Sequence, residues 1–217
     1  MTGDTPRRAY NSERRREAAD RNRAAVLDAS RELLFRDGFH VTTVRAVAER
    51  AGVSAETVYK TFGGKPGVVK ALWDSTLAGD DEPVPMGDRP EIRAVLRTSE
   101  PRAKLRLYAA FVRGIHGRIA PLYTLLTQAG PDVAEVLETG ERERLTGVTA
   151  FVAHLEETGV LGPDADPPHV ADALWALAGP QLYTQLTAGR GWSADTYEEW
   201  LAATLIATLL PPSRQKQ

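Results

Sequence analysis

Residues 42–65 read Thr-Thr-Val-Arg-Ala-Val-Ala-Glu-Arg-Ala-Gly-Val-Ser-Ala-Glu-Thr-Val-Tyr-Lys-Thr-Phe-Gly-Gly-Lys, and no other stretch constrains the fold as tightly. Val44, Val47, Ala48 and Ala51 fall at i, i+3, i+4 and i+7, which makes one apolar face of a short helix. Arg45, Glu49 and Arg50 occupy its other face. Gly52 then stands where the chain must bend, because it alone takes positive φ without a Cβ clash. Val53 follows as a small apolar plug and Ser54 as an N-cap for a second helix. That helix exposes Ala55, Glu56, Thr57, Tyr59 and Lys60, and only Val58 and Phe62 look inward. So little apolar surface cannot hold a helix through its own core contacts. Its outward face is free to meet another molecule.

The order and spacing closely resemble the helix-turn-helix of TetR-family transcriptional regulators. That family's pattern has a Thr near the start of the first helix, then Ala-Gly-Val-Ser, a Tyr and a Phe three apart, and a Lys. Here these are Thr42 or Thr43, Ala51-Gly52-Val53-Ser54, Tyr59, Phe62 and Lys65, within a resemblance covering about residues 21–80. Gly63-Gly64 departs from the pattern, where the family more often has a capping Ser. Pro66 is acceptable at a helix's first position, since its missing N–H would be unpaired there anyway.

The resemblance implies an all-α protein with an N-terminal helix-turn-helix domain of three to four helices. A C-terminal helical bundle for effector binding and dimerisation follows. The implied function is a sequence-specific DNA-binding regulator, most often a repressor released from its operator by a small molecule. Its implied partners are double-stranded DNA with a near-palindromic operator, a second copy of the chain, and an effector. An architectural DNA-binding protein without an effector is the alternative. The residues so placed at DNA are Thr42, Thr43, Arg45, Ser54, Ala55, Glu56, Thr57, Tyr59, Lys60 and Lys65. Ala55, Glu56 and Thr57 are expected nearest base edges, with Tyr59, Lys60, Lys65 and the threonines nearer phosphate.

Composition is compatible with this. The net charge is −2, but residues 1–79 hold 14 Lys or Arg against 10 Asp or Glu, and the remainder 13 against 19. Positive potential is therefore concentrated around the motif, as phosphate contact requires. The absence of cysteine excludes disulfides, thiolate metal sites and a cysteine nucleophile. No apolar run approaches the roughly 20 residues that span a bilayer, and the N-terminus is polar, so a cytoplasmic protein without membrane contact is expected. No catalytic motif is present: Gly63-Gly64-Lys65 lacks the preceding glycine of a phosphate loop, and Pro66 stands where Ser or Thr must bind magnesium. His40, His116, His154 and His169 are scattered. Neither an enzyme nor a cofactor is expected.

Residues 1–20, rich in Arg and poor in apolar side chains, read as a basic flexible arm, either an arm or helix extension that reaches DNA or a solubilising tail. The DNA-binding domain is expected over 21–80. Asp80–Pro90, with three prolines and a glycine, reads as the boundary, and 89–212 as the larger helical domain. There Pro121 and Pro131 are expected to begin helices, and Gly179-Pro180 to kink one. The terminal helix carries two apolar stripes, one through Tyr197, Leu201, Leu205 and Thr208, the other through Ile206 and Leu210. The resemblance implies that the last two long helices pair with a twin subunit, with Leu174, Leu177, Leu201 and Leu205 as interface candidates. It implies an effector pocket among Leu105, Tyr108, Phe111, Leu125, Phe151 and Trp175, although such aromatics more often build core.

Overall fold

The structure, a computed structural model, describes residues 5–80, 84–162 and 164–210, with side chains from residue 14 onward. The described residues form helices and no strands. The helices are α1 (Thr5–Asp37), α2 (Val44–Ala51), α3 (Ala55–Phe62), α4 (Lys65–Ala78), α5 (Pro90–Arg97), α6 (Pro101–Gln128), α7 (Ala134–Glu157), α8 (Pro167–Leu177), α9 (Pro180–Arg190) and α10 (Ala194–Leu209). Short 3-10 turns cover Met86–Asp88 and Gly130–Val133. No described helix is long and apolar enough to cross a membrane.

The chain divides into two compact units, residues up to 75 with 125–136, and residues 76–124 with 137 onward. The return of 125–136 to the first unit has no composition signal, because helix periodicity does not say which core a stripe faces. The first unit closes around Val26, Ala29, Leu33, Val47, Ala48, Val58 and Val68, so that α1, α2, α3 and α4 each supply an apolar edge. Arg50 on α2 pairs with Glu32 on α1 at 2.6 Å. The returning segment is tied in by His40 beside Asp132 at 3.7 Å.

The reading of residues 1–20 as flexible is corrected from Thr5 onward, where α1 runs unbroken to Asp37, while residues 1–4 lie outside the described residues. Nucleation is the costly step of helix formation and propagation is not, so a helix anchored by Val26, Leu27 and Leu33 extends into a segment with no core of its own.

In the second unit, Leu105, Ala109 and Val112 of α6, Val148, Val152 and Leu155 of α7, Leu174 of α8, and Tyr197, Leu201 and Leu205 of α10 share one core. Pro121 does not begin a helix. α6 continues through it. An interior proline costs about 3 kcal/mol, but Ile119 and Leu122 on either side are buried, and each such side chain contributes about 1.5–3 kcal/mol. Pro131 falls in the 3-10 turn that leads into α7. Gly179-Pro180 breaks its helix outright instead of kinking it. Gly179 is extended at φ −86°, ψ 151°, and Pro180 opens α9. The residue before a proline is pushed to extended backbone, and proline fits the first turn of a new helix. Beyond Leu210, the prolines at 211 and 212 lie outside the described residues.

Three of the four interface candidates are core. Leu174, Leu201 and Leu205 are all but inaccessible within their own subunit, so they cannot also meet a twin; Leu177 stays half-buried. The buried stripe of α10 includes Leu209, and Thr208 points to solvent.

Candidate nucleic-acid interface

Both helices of the motif start on hydroxyl caps. Thr43 accepts a hydrogen bond from the Ala46 N–H at 3.1 Å, and Ser54 accepts one from the Thr57 N–H at 3.1 Å. Such a cap satisfies a backbone donor the helix cannot satisfy itself, and is worth about 1 kcal/mol. Between them Gly52 takes φ 70°, ψ 28°, and its N–H closes the end of α2 on the Ala48 and Glu49 carbonyls. Gly63 ends α3 in the same left-handed conformation. These punctuation marks hold α3 between fixed ends.

The outward face of α3 is open. Glu56, Tyr59 and Lys60 are exposed, Ala55 and Thr57 half-exposed, and Val58 fully buried. The Thr57 hydroxyl lies 2.9 Å from that of Ser54, which leaves its methyl outward-capable and its oxygen engaged. Tyr59, 58% exposed, lies beside Gly64, where an added Cβ would come within 3.4 Å of the ring. Gly64 holds φ 113°, so the glycine pair that departs from the family pattern serves this turn twice, once as cap and once as room for Tyr59. Arg45 on α2 is exposed and paired with Glu49 at 2.9 Å. A surface pair of this kind is worth under about 1 kcal/mol, so a phosphate can displace the glutamate.

Two of the candidate positions are otherwise engaged. Thr42 is buried and its hydroxyl donates to the Gly38 carbonyl at 2.9 Å, so it is withdrawn from the surface and Thr43 is the exposed member of the pair. Lys65 is half-buried over the Phe39 ring, 3.8 Å from its centroid, and its ammonium donates to the Phe39 carbonyl. Burial lowers its pKa below the usual lysine value, opposed by the charge of Asp132.

Two residues escape the sequence reading. A Cβ on Gly67 would stand 1.6 Å from the Phe62 carbonyl oxygen, so only glycine lets the first turn of α4 pass the end of α3. An isolated glycine inside an otherwise helical run is the available signal. Arg23 of α1 places its guanidinium 5.3 Å from the Phe62 ring centroid; nothing in the sequence marks that contact.

Most of the effector-pocket candidates pack into the second unit's core. Tyr108 stacks on Phe151 with centroids 4.1 Å apart and planes within 5°, and both are buried with Leu105 in the second unit's core. Phe111 and Trp175 pack on that core. Leu125 clusters with the first unit instead.

Comparison with known proteins bears on the motif first. A family profile described as bacterial regulatory proteins, tetR family, matches residues 26–72. Over that segment the chain is similar to the tetR family. The matched segment runs from the α1 core stripe to Leu72 and contains the whole capped α2–α3 pair. An uncharacterised HTH-type transcriptional regulator of Bacillus subtilis, YvkB, is 43% identical over 47 residues, 22% of this chain and 25% of that protein. The chain thus matches only a quarter of that relative's length. Across the fold, NalD of Pseudomonas aeruginosa, the secondary repressor of the MexAB-OprM multidrug efflux pump, superposes with a TM-score of 0.63. That match has 23% identity and covers 90% of this chain and 99% of NalD. FadR of Bacillus subtilis in complex with stearoyl-CoA gives a TM-score of 0.63, 15% identity, and coverage of 86% and 98%. At these identities the likeness shows a shared helical fold that includes the second unit. The chain is thus all-helical, with a capped helix-turn-helix in its first unit that is similar to the tetR family over residues 26–72 and a helical second unit.

Proposed function

We propose that this regulator is a homodimeric repressor that reads a near-palindromic operator with α3 and leaves it when a small molecule binds. One observation carries the DNA reading. The cap, core contacts and stop of α3 are supplied by Ser54, Val58 with Ala55 and Phe62, and Gly63, so Glu56, Tyr59 and Lys60 are left exposed on its outer face. The N-terminal residues of such a helix enter the major groove, with Ala55, Glu56 and Thr57 nearest base edges. Thr43, Arg45, Ser54, Tyr59, Lys60 and the remaining donors of Lys65 lie at the phosphates on either side. The repressor reading draws support from NalD, and the effector reading from the stearoyl-CoA bound to FadR.

For the twin-subunit face the proposal moves off the buried leucines. Ala203, Ile206, Ala207 and Leu210 recur at i, i+3, i+4 and i+7 on α10 and keep exposed or half-exposed side chains. Leu177 adds a half-buried apolar side chain on α8.

Footprinting on genomic fragments with the purified protein tests the core of the reading. Two protected half-sites one helical turn apart, about 34–36 Å, are the expected pattern of a two-fold dimer. A single half-site bound by a monomer in sedimentation would overturn the dimer. One observation favours the architectural alternative, namely the closed packing of Tyr108 on Phe151 where an effector was expected. Calorimetry separates the two. An effector that releases DNA must itself be weakened by operator DNA by the same factor, typically 1–3 kcal/mol of coupling. Equal effector affinity with and without operator would remove the effector mechanism.

A further inference from the structure

α1 is longer than its core requires. At about 1.5 Å per residue its 33 residues extend about 50 Å, yet among the side chains described, from residue 14 onward, the first buried one is Val26. From Arg14 to Arg23 every side chain is exposed except the half-buried Ala18. This stretch carries Arg14, Arg15, Arg16, Arg21 and Arg23 against Glu17 and Asp20. Glu17 lies 4.0 Å from Arg21, on the following turn.

Arg23 shows which flank of this helix faces the reading helix. Its guanidinium lies over the ring of Phe62, the last residue of α3. Arg16 is seven residues upstream, within about 20° of the same flank and about 10.5 Å further along the axis. That is the rise of about three nucleotides of one strand at roughly 3.4 Å each. Round the axis from Arg16, Arg15 lies about 100° and Arg14 about 160° away, both within about 3 Å of its height. Asp20 sits between Arg16 and Arg23 on the flank, so the positive charge is densest at residues 14–16, the end more distant from α3.

We infer that the N-terminal half of α1 is a second DNA-contacting element, in which Arg14, Arg15 and Arg16 grip backbone phosphates outside the half-site read by α3. This rests on the DNA-binding reading above. The partner is duplex DNA because the stripe is continuous with the α3 surface through Arg23. The contacts carry charge and position and no base information, since arginines spread round a helix outside the groove meet phosphates first.

The test uses the full chain and an operator recovered by selection from random duplexes. Two versions are compared, the minimal protected duplex and the same duplex extended by ten base pairs on each side. The wild type is expected to bind the extended duplex about tenfold more tightly at low salt. The triple variant Arg14→Gln, Arg15→Gln, Arg16→Gln keeps helix-compatible side chains, and unchanged helix content by circular dichroism checks that α1 persists. It is expected to lose that gain, keep its affinity for the minimal duplex, and show a salt slope on the extended duplex lower by about five units for the six arginines of a dimer, near 0.9 per phosphate released. The corresponding triple Lys variant is expected to keep the gain. A triple Gln variant that still gains from the extension overturns the inference, as does a wild type that binds the minimal duplex and gains nothing. A wild type that binds neither duplex overturns the α3 reading instead.

Discussion

Lys65 sits face-on over the ring of Phe39 and donates to the carbonyl of the same residue, so one side chain closes the first unit from α4 back to the loop after α1. An ammonium has three hydrogens, and the Phe39 carbonyl occupies one of them. Lys65→Met keeps the stem on the ring and removes the donors. It is expected to destabilise the unit by about 1–2 kcal/mol in urea unfolding and to lower the salt slope of DNA binding by about one unit. A stability loss with an unchanged slope would make Lys65 a fold residue only.

Glu56 is exposed in the first turn of α3 and has no capping duty. Its carboxylate is suited to accept from a cytosine N4 amino group. Glu56→Ala is expected to shift preference at one base pair by about 1–3 kcal/mol and leave the others alone. Binding selections on wild type and variant measure this, and a uniform loss over all sequences would remove Glu56 from base reading.

Gly67 is the least replaceable glycine of the motif. Gly67→Ala would place a methyl inside the Phe62 carbonyl, so the turn between α3 and α4 must open. Overpacking costs typically 1–3 kcal/mol, and more where only backbone can yield. Gly147→Ala on α7 meets open space and is expected to stabilise by up to about 1 kcal/mol. Thermal unfolding of the pair gives opposite signs, and a neutral Gly67→Ala would refute the close approach.

His116 gives the second unit an acid limit. Its Nε2 is 2.9 Å from the Ala178 carbonyl, so that nitrogen carries the hydrogen and the ring is neutral. Burial is the main cause that pushes its pKa down to about 4 from 6.5. Below the unfolded value the unfolded chain takes up a proton that the folded chain refuses. Stability is therefore complete above about pH 6.5 and falls as pH drops towards 4, by about 3 kcal/mol in all. His116→Gln is expected to flatten that part of the profile, read as the urea midpoint between pH 7 and 4.5. An equally steep profile in the variant would assign the loss to other groups.

The motif was legible because its signals are local. A hydroxyl before a helix, a glycine after it and an apolar face of period 3.6 act within a few residues, and Gly52 and Ser54 took the roles their chemistry suggests. What failed depended on contacts distant in sequence. Leu174, Leu201 and Leu205 look the same to periodicity whether they face their own core or a twin. Pro121 signals a break that neighbouring burial overrides, while Pro180 gives one because its preceding glycine accepts extended backbone. Thr42 and Thr43 differ by one position, and that position decides between a buried bond to Gly38 and an exposed cap.

The division of labour on α3 has a consequence for how such a regulator can change. Ser54 holds the helix start, Val58 and Ala55 its inner side and Gly63 its end, while Glu56 and Lys60 are exposed and outside the core. Substitutions at those two positions alter what is read without touching what keeps the reader folded. A population of variants can drift from one operator to another through intermediates that are all stable, with fidelity to the old site as the sole casualty.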